Sequence, residues 1–108
     1  MATDIIRLMP DYLSYPTWQP AADEYNVDPG KLSISKDLAD DLNAWADDYD
    51  ATLVHDDPAS SGFPDAPSEN AFAERGAELA RRLALELAGR CRVEYHDIRT
   101  GKHEAIAV

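Results

Sequence analysis

The chain has 108 residues, 44% of them apolar, and carries 21 acids against 10 bases for a net charge of −11. That length predicts a single domain over 1–108 with one modest core, and that charge argues against nucleic acid and anionic membranes as partners and in favour of a basic protein. One cysteine, Cys91, excludes an internal disulfide, and there is neither a signal-peptide pattern nor a run of about 18 apolar residues, so a cytoplasmic protein is expected.

Residues 3–9, TDIIRLM, read as a β-strand that stops at Pro10, which has no N–H to give to a ladder. Residues 11–32 hold three more prolines and no sustained period, which predicts a long loop. Tyr12, Tyr15, Trp18 and Tyr25 give that loop large surfaces to bury, so it is expected to wrap the core with Trp18 pinned down. Asp28-Pro29-Gly30 predicts a tight turn.

Leu38, Leu42, Trp45, Tyr49 and Leu53 then recur at steps of four, three, four and four, the stripe of an amphipathic helix. Asp37, Asp40, Asp41, Asp47 and Asp48 fall within an arc of roughly 120° on its other side. Ser35 is the expected N-cap, and the helix is expected to fade between Thr52 and His55. A Pro/Ser/Gly-rich connector follows, anchored by Phe63. The second helix is predicted from an N-cap at Ser68 to a glycine cap at Gly89, with Phe72, Gly76, Leu79, Leu83 and Leu87 as its apolar stripe. Gly76 on that stripe implies close approach of another backbone or of a ring such as Trp45. CRVEYHDI and HEAIAV around Gly101 read as a closing hairpin, with Val93, Tyr95 and Asp97 on one face and Arg92, Glu94 and His96 on the other. The expected fold is α+β: two amphipathic helices packed on a small, mainly antiparallel three-stranded sheet, in the order strand-helix-helix-strand-strand.

No catalytic constellation is legible. His55, His96 and His103 are dispersed, Cys91 has no nearby partner, and His55-Asp56-Asp57 would have to converge three adjacent side chains on one ion, so no metal or cofactor is expected. Ser60-Ser61-Gly62 is not a nucleophile elbow, the glycines are too scattered for a phosphate loop, and His96 and Asp97 point to opposite faces of a strand. What stands out is placement of charge: residues 1–67 hold fourteen acids and three bases, while 68–108 balance at seven each. Asp destabilises a helix relative to Glu, and neighbouring like charges add to the cost, so five Asp on one face bring no structural return. Stiff, short carboxylates suit recognition of Arg and Lys. A compositional bias toward Asp would produce the same face.

PDYLSYPTW, LSISKDLADDLNAWADDYD, DDPASSGF and the F-x-x-x-G-x-x-L-x-x-x-L run from Phe72 to Leu83 together resemble a group of small, acidic, mostly uncharacterised bacterial proteins of actinobacterial type. In size and charge the chain also resembles the immunity proteins of bacterial toxin–immunity pairs. That second likeness implies a non-catalytic protein that neutralises a cognate toxin domain carrying a basic surface. The residues assigned to the interface are Asp40, Asp41, Asp47 and Asp48, with Asp50, Asp56 and Asp57 at the rim and Tyr12 and Tyr15 as anchors. The alternatives are a small regulatory or scaffold module, homodimeric in one version, and an enzyme whose site forms only through tertiary contacts.

Overall fold

The computed structural model describes residues 4–20, 25–53 and 62–106. The first strand, β1 (Asp4–Leu8), alternates as a half-buried strand should: Ile6 and Leu8 are fully buried, Ile5 and Arg7 turn to the other face. Two three-residue strands follow, β2 (Thr17–Gln19) and β3 (Tyr25–Val27). After the helices come β4 (Cys91–Asp97) and β5 (Lys102–Ala105). The sheet has five strands in the order β3-β2-β1-β4-β5. It is mixed: β1 runs parallel to β4, with Ile6 opposite Val93 and Leu8 opposite Tyr95, and every other pairing is antiparallel.

This overturns the expectation of a three-stranded, mainly antiparallel sheet, although the α+β class holds. The extra strands lie inside the stretch read as a loop. Strands of three residues are too short to display a period of two, and the prolines beside them sit just outside, where no ladder N–H is lost. The segment is held by specific bonds instead. Thr17 is fully buried and its Oγ1 donates to Val27 O at 2.6 Å. Trp18 Nε1 donates to Met9 O at 3.1 Å, so this indole is pinned as expected. Asp28 Oδ1 accepts from Gly30 N–H and caps a short 3-10 turn over Pro29–Lys31.

Helix α1 (Lys36–Asp50) starts where Ser35 Oγ accepts from Leu38 N–H, and it stops at Asp50, earlier than the apolar stripe implied. Helix α2 (Ala66–Glu86) is capped by Asp65 rather than Ser68: Asp65 Oδ1 accepts from Ser68 N–H at 2.8 Å. Pro67 falls in the first turn, where its missing N–H costs nothing. Gly89 takes a positive φ of 82° just past the helix, and Gly101 one of 71° in the β4–β5 turn.

Both helices lie on the face that carries Ile6, Leu8, Val93 and Tyr95, with α2 against β4 and α1 against α2. Trp45 is the centre of this core. Its ring stacks on Phe72 at 4.5 Å and 7°, and its Nε1 donates to Phe72 O at 3.0 Å. Tyr95 Oη donates to Ala73 O at 2.8 Å, and burial pushes its acidity well below that of a free phenol. Both rings reach α2 over Gly76, where a Cβ would lie 2.5 Å from each. Side chains this buried contribute about 1.5–3 kcal/mol apiece.

Candidate functional site

The acidic face of α1 divides into two ends with different chemistry. At its N-terminal end Asp40 pairs with Lys36 at 2.7 Å, both in solvent. Asp41 is tied to α2, accepting from Arg82 Nη1 at 2.7 Å with Arg75 at 3.8 Å. The Arg82 hydrogen bond holds its carboxyl below the usual carboxylate range. At the C-terminal end Asp47 and Asp48 are exposed, and neither makes an ion pair among the described residues. They also diverge, as adjacent helical residues must. Asp48 borders a shallow depression with Phe63, Ser68 and Arg75, while Asp47 borders another with Tyr15 and Asp50. Asp56 and Asp57 lie outside the described residues.

The two tyrosines assigned as anchors separate as well. Tyr12 stacks on Tyr49 of α1 at 4.6 Å, and its hydroxyl shares a 2.8 Å hydrogen bond with Thr52 Oγ1. It clamps the loop to the helix and is half-buried. Tyr15 is 47% exposed. Its backbone is fixed on both sides by one side chain: Tyr15 N–H donates to Asn26 Oδ1 at 2.9 Å, and Asn26 Nδ2 donates to Tyr15 O at 2.7 Å. Asp50 Oδ1 accepts the N–H of Leu13 at 3.0 Å. The structure therefore brings Tyr15, Asp47 and Asp50 together, and it sets Asp40 and Asp41 about 10 Å further along the helix.

Leu13 joins this group without having been assigned to it. It is 78% exposed and has a φ of 59°, the left-handed region that residues with a Cβ avoid. The signal in the sequence was weak: a leucine between two tyrosines in a proline-rich stretch, with no periodic partner. With Tyr15, Asp28, Asn43, Asp47 and Asp50 it lines a depression of about 560 Å³. Among the described residues the lining holds three carboxylates and no base.

The sheet face turned away from the helices carries Ile5 and Trp18 beside a group of charged and polar side chains. Arg7 pairs with Glu94 at 3.0 Å, and His96 lies against His103 of the neighbouring strand at 4.9 Å between rings. His96 Nδ1 is buried without a hydrogen-bond partner among the described residues. Burial, then His103 and Arg7, lower its pKa against the opposing pull of Asp97. Protonation is thus disfavoured in the folded state, while an unfolded histidine takes a proton near pH 6.5. The stability this residue confers above that pH is lost as the pH falls below it. Urea midpoints are expected to drop between about pH 7.5 and pH 5.5, and His96→Gln is expected to flatten most of that drop. Equal slopes in both proteins would remove His96 as the cause.

Among the described residues no three His, Cys, Asp or Glu side chains gather as a metal site would require, and no helix is long and apolar enough to cross a membrane. Another cavity, of about 520 Å³, opens at the start of β4 between Ile5, Ala84, Cys91 and Ile106, and none of the assigned residues among those described lines it. No curated protein matches the chain. A family model described as Serratia CdiI immunity protein-like matches residues 4–98, which run from β1 through both helices to the end of β4 and the Ile98 that follows it, and the chain belongs to that family.

Proposed function

We propose that this protein is a non-catalytic immunity protein that binds and neutralises a cognate toxin domain in the cytoplasm, using the exposed C-terminal half of the α1 acidic face. Membership of an immunity-protein-like family supports neutralisation by binding. The observation that carries the choice of surface is that Asp47 and Asp48 stand exposed and make no ion pair among the described residues, whereas Asp40 and Asp41 have cations of their own. Unneutralised carboxylates on a rigid helix attract a basic surface before contact and orient the encounter. If the toxin acts on nucleic acid, the same face covers the cationic surface meant for phosphates. Asp56 and Asp57 continue the acidic run in sequence and belong to the rim in this reading.

The test uses the cognate toxin domain, identified by co-purification with this chain and made with its active site disabled. The double variant Asp47→Asn/Asp48→Asn is expected to associate about three- to tenfold more slowly at low salt, with a flatter dependence on ionic strength. Asp41→Asn makes a useful contrast, because it removes the charge that pairs with Arg82 and acts on the α1–α2 contact first. Unchanged association kinetics in the double variant would remove this face from the interface.

A further inference from the structure

We infer that the loop bearing Leu13 and Tyr15 is the apolar anchor of the interface, and that it seats against an apolar depression of the toxin whose rim carries Lys or Arg. The inference rests on the toxin-binding reading for the identity of the partner and on the loop's own construction for the rest. Large apolar side chains in a free loop ordinarily fold back onto the nearest apolar surface. Here the backbone prevents it. Tyr12 is stacked on Tyr49 and bonded to Thr52, Leu13 N–H is held by Asp50, both backbone groups of Tyr15 are held by Asn26, and Pro16 is buried. Between these fixings Leu13 sits in the left-handed region and stays 78% exposed, with Tyr15 beside it at 47%. These are two of only three large hydrophobic side chains so exposed among the described residues, and the third, Leu85, lies on α2.

A rigid, exposed pair of this kind loses little freedom on docking, and tyrosine is a common centre of binding energy, to which Leu13 adds apolar area beside it. What lies next to the pair names the partner's chemistry. The depression between the loop and α1 is lined by Asp28, Asp47 and Asp50, with no base among the described residues. A Lys or Arg side chain entering it lays its methylene stem along Leu13 and Tyr15 and its charge toward the carboxylates. The occupant is therefore a basic protein surface with an apolar dent, which is what charge complementarity to this rim demands.

The test separates this surface from the steering face by kinetics. Leu13→Gly suits the left-handed φ, and relief of that strain offsets the added freedom of the unfolded chain, so a melting temperature close to that of the wild type is expected. Tyr15→Ala removes a half-exposed ring and leaves the backbone bonds to Asn26 in place. Each is expected to raise the dissociation rate of the disabled toxin domain about tenfold or more, with association rate and salt dependence little changed. Wild-type dissociation rates in both variants, alongside slowed association in Asp47→Asn/Asp48→Asn, would overturn the anchor and leave the neutralising function standing. No complex between the wild-type chain and the toxin domain would overturn both. Self-association of the wild-type protein that is lost in both variants, with toxin binding intact, would assign the pair to a second copy of the chain and overturn the anchor.

Discussion

Gly76→Ala is expected to destabilise the protein by about 2 kcal/mol, although alanine is the better helix former. In an exposed helix the exchange would gain about 1 kcal/mol. Here the new methyl would stand 2.5 Å from Trp45 Cζ2, 2.9 Å from Trp45 Cε2 and 2.5 Å from Tyr95 Oη. Neither ring has room to retreat. Trp45 is pressed on Phe72 and bonded to Phe72 O, and Tyr95 is bonded to Ala73 O. Overpacking of a filled core costs about 1–3 kcal/mol, and each hydrogen bond stretched or lost adds about 1. Against the helix gain, the net remains unfavourable by roughly 2 kcal/mol, or about 10 °C in melting temperature for a chain of this length. Urea denaturation would read it as a lower midpoint at unchanged slope. A midpoint equal to or above that of the wild type would show that the two rings yield.

The role of Gly76 is legible in the sequence. A glycine on the buried stripe of a long helix has few explanations besides close approach, and a tryptophan on the facing stripe of α1 is the natural visitor. Periodicity also located both helices, because fifteen and twenty-one residues give several turns in which the pattern can repeat. It failed where the elements are short. β2 and β3 have three residues each, and what holds them is the Thr17 hydroxyl on Val27 and the Asn26 amide on Tyr15 and Thr17, contacts between residues nine to eleven apart. The parallel pairing of β1 with β4 was out of reach for a related reason: it joins residues 87 apart, and nothing local marks it. Asp65 displaced Ser68 as the α2 cap because a proline in the first turn lets the helix begin earlier than its first apolar residue implies.

The same division holds at the candidate site. That α1 has an acidic side could be read from residue spacing, but not which carboxylates are already engaged. Asp41 is matched by Arg82, forty-one residues away, and Asp50 by a backbone N–H of the loop. Tyr12 and Tyr15 look equivalent in sequence, yet one faces the ring of Tyr49 and the other faces solvent. Exposure of a loop residue depends on where its backbone is tied, and the ties come from Asp50 and Asn26 on other elements.

Trp45→Ala is expected to cost about 3–5 kcal/mol, more than Gly76→Ala. The side chain is 1% exposed and lies between α2 and the sheet, in contact with both Phe72 and Tyr95. Its removal takes away the stack on Phe72 and the bond to Phe72 O, and it opens a cavity that a rigid, hydrogen-bonded Tyr95 cannot fill. For a protein whose total stability is on the order of 5–15 kcal/mol, this leaves a small margin, so urea midpoints should be read at low temperature. Trp45→Phe keeps a ring but drops the donor, and about 1–2 kcal/mol of loss is expected from it. The decisive comparison is a double-mutant cycle with Gly76→Ala. Two of the three close contacts of the new methyl are with Trp45. On the Trp45→Ala background the cost of Gly76→Ala should therefore fall from about 2 kcal/mol to near zero, since the remaining crowding at Tyr95 is offset by helix propensity. A cost that stays at about 2 kcal/mol on both backgrounds would place the whole constraint on Tyr95, and Tyr95→Phe would then be the change that relieves it.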